Sequence, residues 1–185
     1  MNIESPLVGK NLLLRTLSVD EASSRYLSWL SDLDVSRYLE IRFSAPSSIE
    51  DLRRFVAATN ESDDSLLLGM FLKEGAKHVG NIKLGPINRH HETGDIGLLI
   101  GEGSEWGKGH ACEAIALLTE YAFAHLSLAK LTASCYSHNE GSRRAFLKAG
   151  FIEEGRRVAQ YMSCGKRQDG VMLGRVNPAI KHYTQ

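Results

Sequence analysis

No stretch of the 185-residue sequence is apolar over the length that a bilayer-spanning helix requires, which predicts a protein without a membrane segment. Cysteine is scarce. Cys112, Cys135 and Cys164 are an odd number and lack metal-ligand spacing. They argue against a disulfide framework or a metal site and for reduced thiols in a cytoplasmic protein. An excess of one charge is also missing: 22 basic residues face 22 acidic ones. Net charge therefore offers no case for a nucleic-acid partner. The opening Met1-Asn2-Ile3-Glu4-Ser5-Pro6 does not read as a signal peptide. Internal repeats, low-complexity tracts and linkers are absent, so residues 1–185 are expected to form one domain, large enough to bury a core.

What is present alternates between two periodicities. Leu12–Leu17 reads as a strand. Asp20–Leu33 reads as an amphipathic helix with Asp20 as its cap, and Ser48–Ala58 as a second helix capped by Ser48. Ser65–Lys73 and His78–Leu84 read as strands joined by the hairpin Glu74-Gly75-Ala76-Lys77. A strand at 95–100, a glycine-rich loop, a helix from Cys112 to Ala124, a strand at 130–136 and a short helix follow. Phe151–Glu154, Ala159–Ser163 and Val171–Val176 read as closing strands, with Ser163-Cys164-Gly165-Lys166 supplying a turn. Such a mixture predicts a single α/β or α+β layered domain.

The stretch that carries most chemistry is Trp106-Gly107-Lys108-Gly109-His110-Ala111. It joins the apolar run Asp95–Ile100 to a helix. Glycines allow close backbone approach, and the first helical amides lack internal partners and favour an anion. The loop is therefore a phosphate-site candidate, with a plain strand-to-helix turn as the other reading. It is not a Walker loop, because Glu102 stands where the first glycine belongs. It is not a dinucleotide fingerprint either: Gly101-x-Gly103 leads to Trp106 and Gly107-x-Gly109 to Cys112 where a glycine is needed. Lys108 and His110 could add charge or lie exposed in the loop, and Cys112 could be an activated thiol or a small packing residue. A second segment, Asn139 to Phe151, has a helix cap in Asn139 and a stop in Gly150.

Together these motifs resemble the GNAT superfamily of acetyl-CoA-dependent N-acetyltransferases. Gly109 and Ala111 stand at the glycine and small-residue positions of that family's loop, and Asn139, Ser142, Gly150 and Phe151 match its second motif. Leu12–Leu17, Trp29-Leu30-Ser31-Asp32, Ile87–His91 and Arg167-Gln168-Asp169 resemble the branch of ribosomal-protein N-terminal, spermidine and amino-sugar acetyltransferases. The resemblance covers about residues 8–176. It implies a central, mixed, mostly antiparallel twisted sheet flanked by helices, acetyl-CoA as co-substrate, no metal, and an amine substrate, in a monomer or homodimer. It implies that Leu98, Leu99, Ile100, Trp106, Gly107, Lys108, Gly109, His110, Ala111, Asn139, Ser142 and Phe146 contact acetyl-CoA. Asn139 could equally be only a cap.

Acetyl transfer needs a neutral amine. Deprotonating an alkyl ammonium at pH 7 costs about 4–5 kcal/mol, an α-amine only about 1. A base is therefore useful, and Asp95 matches the family's base position, with His91 in the segment expected to face the same cleft. A strand amide near Leu98–Ile100 would polarise the carbonyl. Phe146 replaces the tyrosine that many relatives use as acid, and Ser142, four residues earlier on the same helical face, is the replacement candidate. Trp29 is either core or a substrate-binding wall, and His90 and His91 either loop residues or functional. The expected activity is acetyl transfer to a primary amine of a small molecule or a protein N-terminus, by direct attack in a ternary complex. A non-catalytic acetyl-CoA-binding module is the alternative.

Overall fold

Short apolar runs such as Leu12–Leu14 and Leu66–Leu68, too short for a buried helix, fall in the strands of one eight-stranded sheet. The computed structural model describes residues 1–163 and 165–180; Cys164, expected in a turn and as a reduced thiol, lies outside them. The strands are β1 (Leu7–Val8), β2 (Leu12–Thr16), β3 (Leu66–Leu72), β4 (His78–Asn88), β5 (Thr93–Ile100), β6 (Lys130–Tyr136), β7 (Ile152–Ser163) and β8 (Lys166–Val176). They lie in the order β1-β2-β3-β4-β5-β6-β8-β7. All neighbours are antiparallel except β5 and β6, which are parallel. That parallel step requires a crossover, and the helix α4 (His110–His125) supplies it.

β3 is apolar on successive residues because both its faces are covered. One face carries α4 and α5 (Glu140–Lys148). There Leu12, Leu14, Leu68, Met70, Ile82 and Leu131 pack with Ile115 and Leu118 of α4 and with Ala145 and Phe146 of α5. The other carries α1 (Ser24–Ser31) and α3 (Ile49–Glu61), where Leu67 and Phe71 meet Tyr26, Trp29, Leu52 and Val56. A short α2 (Leu33–Ser36) follows α1.

Several element boundaries differ from the sequence pattern, and two of the differences have a clear local cause. The expected helix 20–33 starts late. Ser18 donates its amide to Glu21 Oε2 at 2.9 Å and Arg15 grips the same carboxylate, which closes a separate 3-10 turn at Val19–Glu21. Ser23, not Asp20, then caps α1 by accepting from the Tyr26 amide. The two closing strands expected between 151 and 163 are one continuous β7. The strand survives a register skip between Arg157 and Tyr161 because the Ala159 amide, at φ +52°, donates to Asp169 Oδ1 at 2.9 Å.

A single carboxylate ties the crossover helix to the sheet edge. Glu113 Oε1 accepts the amides of Asn11 at 2.7 Å and Leu12 at 3.0 Å, and Oε2 accepts Asn11 Nδ2 at 3.0 Å. Partial burial acts to raise the Glu113 carboxyl, but these hydrogen bonds outweigh it and hold it below the usual range. A lowered carboxyl stabilises the fold above its usual titration range and loses that contribution as pH falls through the lowered value. Glu113→Ala is expected to cost about 1–3 kcal/mol in urea unfolding at pH 7. The difference from wild type should shrink below about pH 4; a deficit that stays constant down to pH 3 would contradict this assignment.

Candidate acyl-transfer site

β5 and β6 pair at only three positions, Thr93↔Lys130, Gly94↔Leu131 and Asp95↔Thr132. Both strands then run on, β5 to Ile100 and β6 to Tyr136, without pairing to each other. A wedge-shaped gap therefore opens in the sheet beyond Asp95. The Gly101 amide donates to Val79 O at 2.9 Å, which fixes the antiparallel alternation along β5. Gly97 and Leu99 turn their backbone groups to β4, while Leu98 and Ile100 turn theirs into the gap. Of the three strand residues expected to meet the thioester, Leu98 and Ile100 offer backbone. Leu99 instead packs its side chain against the α1/α3 cluster.

The loop expected to bind phosphate stands at the mouth of this gap, because it continues directly from β5. Gly107 has φ +75° and Gly109 φ +88°, a region costly for any side chain. No heavy atom lies within 4 Å of a Cβ built on either, so glycine here also leaves open space. Gly109 caps α4, and the first helical bond is Glu113 N to Gly109 O. The amides of His110, Ala111 and Cys112 thus have no partner within the helix. The Trp106 indole contributes more than backbone: its Nε1 donates to Ile100 O at 2.8 Å and folds the loop onto the end of β5. Ala111 packs against the main core. His110 is 6% exposed and so is no loop-surface residue; its Nε2 meets Glu105 Oε2 at 3.1 Å. Lys108 Nζ reaches the same oxygen at 3.0 Å. These open glycines and unpartnered amides fit a pyrophosphate.

The opposite wall follows β6. Asn139 Oδ1 accepts the Ser142 amide at 3.2 Å and caps α5. Ser142 is half-buried on the face that carries Phe146 inward. Phe146 itself is a correction to the expected acetyl-CoA contacts. It is 2% exposed and stacks edge-on with Phe151 at 5.0 Å, deep in the core.

Asp95 lies on the other side of the sheet, because side chains alternate and Ile96 faces α4. Asp95 Oδ1 accepts Thr132 Oγ1 at 2.8 Å at the apex of the gap. Burial pushes its carboxyl up, opposed by the Thr132 hydrogen bond and Lys83. Beside it Gly97 leaves open space. Along β6 the same face continues as Ser134 and Tyr136. Ser134 Oγ and Tyr161 Oη are 2.7 Å apart, and Tyr161 stacks on Tyr136 at 4.1 Å. Tyr136 Oη donates to Glu40 Oε1 at 2.7 Å and accepts from Arg42 at 3.1 Å. Burial, with Glu40 next to it, pushes the Tyr136 phenol up to about 12. Sequence reasoning missed this cluster. The alternation Thr132, Ser134, Tyr136 was legible, but nothing local links it to Glu40, Arg42 or Tyr161.

Two expected substrate contacts are placed elsewhere. His91 is exposed in the β4–β5 turn, its amide on Asn88 Oδ1 at 2.9 Å. That turn lies at the paired end of β5, opposite the gap. Trp29 is 4% exposed and packs on His78 at 5.0 Å. Its Nε1 donates to Glu102 Oε1 at 3.2 Å, and Lys77 holds the other oxygen at 2.7 Å. Trp29 therefore anchors the root of the loop, and a Cβ on Gly101 would sit 1.9 Å from its ring.

Comparison with known proteins identifies the class to which this parted sheet and its glycine-rich helix start belong. Residues 11–152 match the acetyltransferase (GNAT) domain family. An uncharacterized N-acetyltransferase, YoaA of Bacillus subtilis (strain 168), is 30% identical over 82% of this chain and 84% of that protein. The ribosomal-protein-S5-alanine acetyltransferase from Vibrio fischeri superposes with a TM-score of 0.83, at 16% identity over 95% of this chain and 98% of that one. The spermidine N-acetyltransferase from Vibrio cholerae, solved with CoA and spermine, gives 0.80 at 21% identity, over 90% and 96%. These two show a shared fold. The chain belongs to the GNAT acetyltransferase family, and is an acyltransferase.

A raised carboxyl penalises its own charged form in the folded state. Its contribution is present below the usual carboxylate range and lost as pH rises through the raised value. Asp95→Asn, which keeps an acceptor for Thr132, is expected to raise the melting temperature at pH 7, a gain of about 0.5–2 kcal/mol. The gain should shrink as pH falls and vanish below about pH 3, where Asp95 is almost wholly neutral in both states. Scanning calorimetry across pH measures this, and a lower melting temperature at pH 7 would count against it.

Proposed function

We propose that the protein transfers an acetyl group from acetyl-CoA to the primary amine of a small molecule or a protein N-terminus, by direct attack within a ternary complex. The observation that carries this reading is the gap beyond Asp95↔Thr132, where β5 and β6 run on without pairing to each other. The Gly107–Ala111 amides, Asn139 and Ser142 border it on one face, and Asp95 on the other. A thioester entering from the loop side and an amine entering from the Asp95 side meet in the plane of the sheet. A covalent enzyme intermediate is unnecessary, and the nearest buried thiol is unsuited to one: burial raises Cys135 to about 11.

Each residue has a task set by its place. The amides at the start of α4 hold the pyrophosphate. When bound, acetyl-CoA supplies an activated acyl group on a good leaving thiol. The Leu98 amide, facing the gap, receives the carbonyl oxygen as charge builds on it. Asp95, with its proton affinity raised by burial, takes the ammonium proton directly or through water. Ser142 assists departure of the thiolate, a mild demand because a thiol ionises near pH 8.5.

Release of CoA, followed with a thiol reagent against polyamines, amino sugars and peptides with free N-termini, tests the activity. At least one class should give saturable turnover. Acetyl-CoA binding without turnover on any class would favour a binding module. Gly109→Val places a branched side chain at φ +88° in the open cradle. It should abolish acetyl-CoA binding in protein that still melts cooperatively, and unchanged affinity would remove the loop from the site. Asp95→Asn should lower turnover on amines and flatten the acidic limb of the pH–rate profile, with acetyl-CoA affinity retained. Full activity with the same limb would exclude Asp95 as the base.

A further inference from the structure

The loop that offers its amides to a phosphate also carries an anion of its own. Glu105 ends the 3-10 turn Gly103–Glu105, and its side chain is 11% exposed. Its Oε2 receives Lys108 Nζ at 3.0 Å and His110 Nε2 at 3.1 Å. A carboxylate only accepts, so the imidazole hydrogen on this side belongs to Nε2. The other ring nitrogen, Nδ1, is buried without a partner. Lys108 is the only lysine or arginine between Gly101 and Cys112. The other carboxylates nearby are engaged elsewhere, Glu102 by Lys77 and Trp29 and Glu113 by Asn11 and Leu12. The cation best placed to meet a phosphate at α4 is thus spent on an internal carboxylate.

Its two partners are unequal. Lys108 is 53% exposed on a flexible four-carbon stem, whereas the His110 side chain is 7% exposed and fixed in the first turn of α4. We infer that Glu105 is a built-in competitor for the phosphate site: it holds Lys108 while the site is free, and a bound nucleotide diphosphate draws Lys108 away, leaving His110 as its partner. This rests on the acetyl-CoA reading above. The carboxylate then stands beside the phosphates and repels them, so the loop holds CoA less tightly than its amides and lysine would allow. That limits product retention. A purely structural clip would have the opposite consequence, because breaking it would loosen the loop and weaken binding.

Glu105→Gln separates the two, since glutamine keeps a carbonyl acceptor for His110 and removes only the charge. Titration calorimetry with CoA should show the variant binding about 3- to 10-fold more tightly than wild type. The KM for acetyl-CoA should fall in step, with no such gain for S-acetyl-pantetheine, which has the thioester but no pyrophosphate. Equal or weaker CoA binding by Glu105→Gln overturns the inference. Lys108→Met provides a second arm. It should weaken CoA binding several-fold if Lys108 moves to the phosphates, and unchanged affinity overturns the inference as well. Wild-type protein that binds no CoA would defeat the acetyl-CoA reading itself, a result distinct from either variant's.

Discussion

Two parallel strands that pair for three residues and then separate must leave backbone groups without partners, and most of this molecule is arranged around that separation. Buried N–H and C=O groups are costly when unpaired. Beyond Asp95↔Thr132, the inward-facing groups of Leu98 and Ile100 are left for something other than β6. One of them, Ile100 O, is met by the Trp106 indole. The rest of the opening is kept by rigid neighbours. β5 stays paired to β4 on its far side at every residue but Asp95, and β6 to β8 throughout. The strands therefore cannot collapse onto each other without breaking ladders of seven registered pairs on either side.

The opening joins two chemically different surfaces. The α4/α5 side offers helix starts, small residues and amides, suited to an anionic, extended ligand. The other side offers Asp95, Thr132, Ser134, Tyr161, Tyr136 and Glu40, a hydroxyl- and carboxylate-bearing surface. Alternation along β6 produces both at once, with Leu131, Ala133 and Cys135 facing the core and Thr132, Ser134 and Tyr136 facing away. Burial of Asp95, and burial of Tyr136 with Glu40 beside it, then set how strongly these two groups hold protons.

The supports beneath the loop show a division of labour among its charges. Glu102 links Trp29 and Lys77, Glu113 links α4 to the β1–β2 turn, and Glu105 stays within the loop. Two carboxylates fasten the loop's ends, Glu102 to α1 and the β3–β4 turn and Glu113 to Asn11 and Leu12, so its glycines can keep positive φ without the loop wandering. The third is positioned to tune what the loop binds.

Local signals in the sequence determined the elements and the glycine-rich loop proposed to hold an anion. Short apolar runs marked β2, β3 and β5, an alternating run marked β6, Ser48 and Asn139 marked helix starts, and the glycines between Trp106 and Ala111 marked a backbone open to a ligand. These depend on residues within a few positions of one another, and a chain states them directly. Tertiary structure decided which side chains share a site. Phe146 and Trp29 belong to the core because helix and sheet faces converge on them, and His91 stands at the wrong end of β5 because the gap opens at the other. Glu40, Arg42 and Tyr161 join β6 across separations of 27 to 96 residues. No periodicity encodes such meetings. They exist only once the sheet order places β8 and β7 beside β6 and carries the segment after α2 across its face.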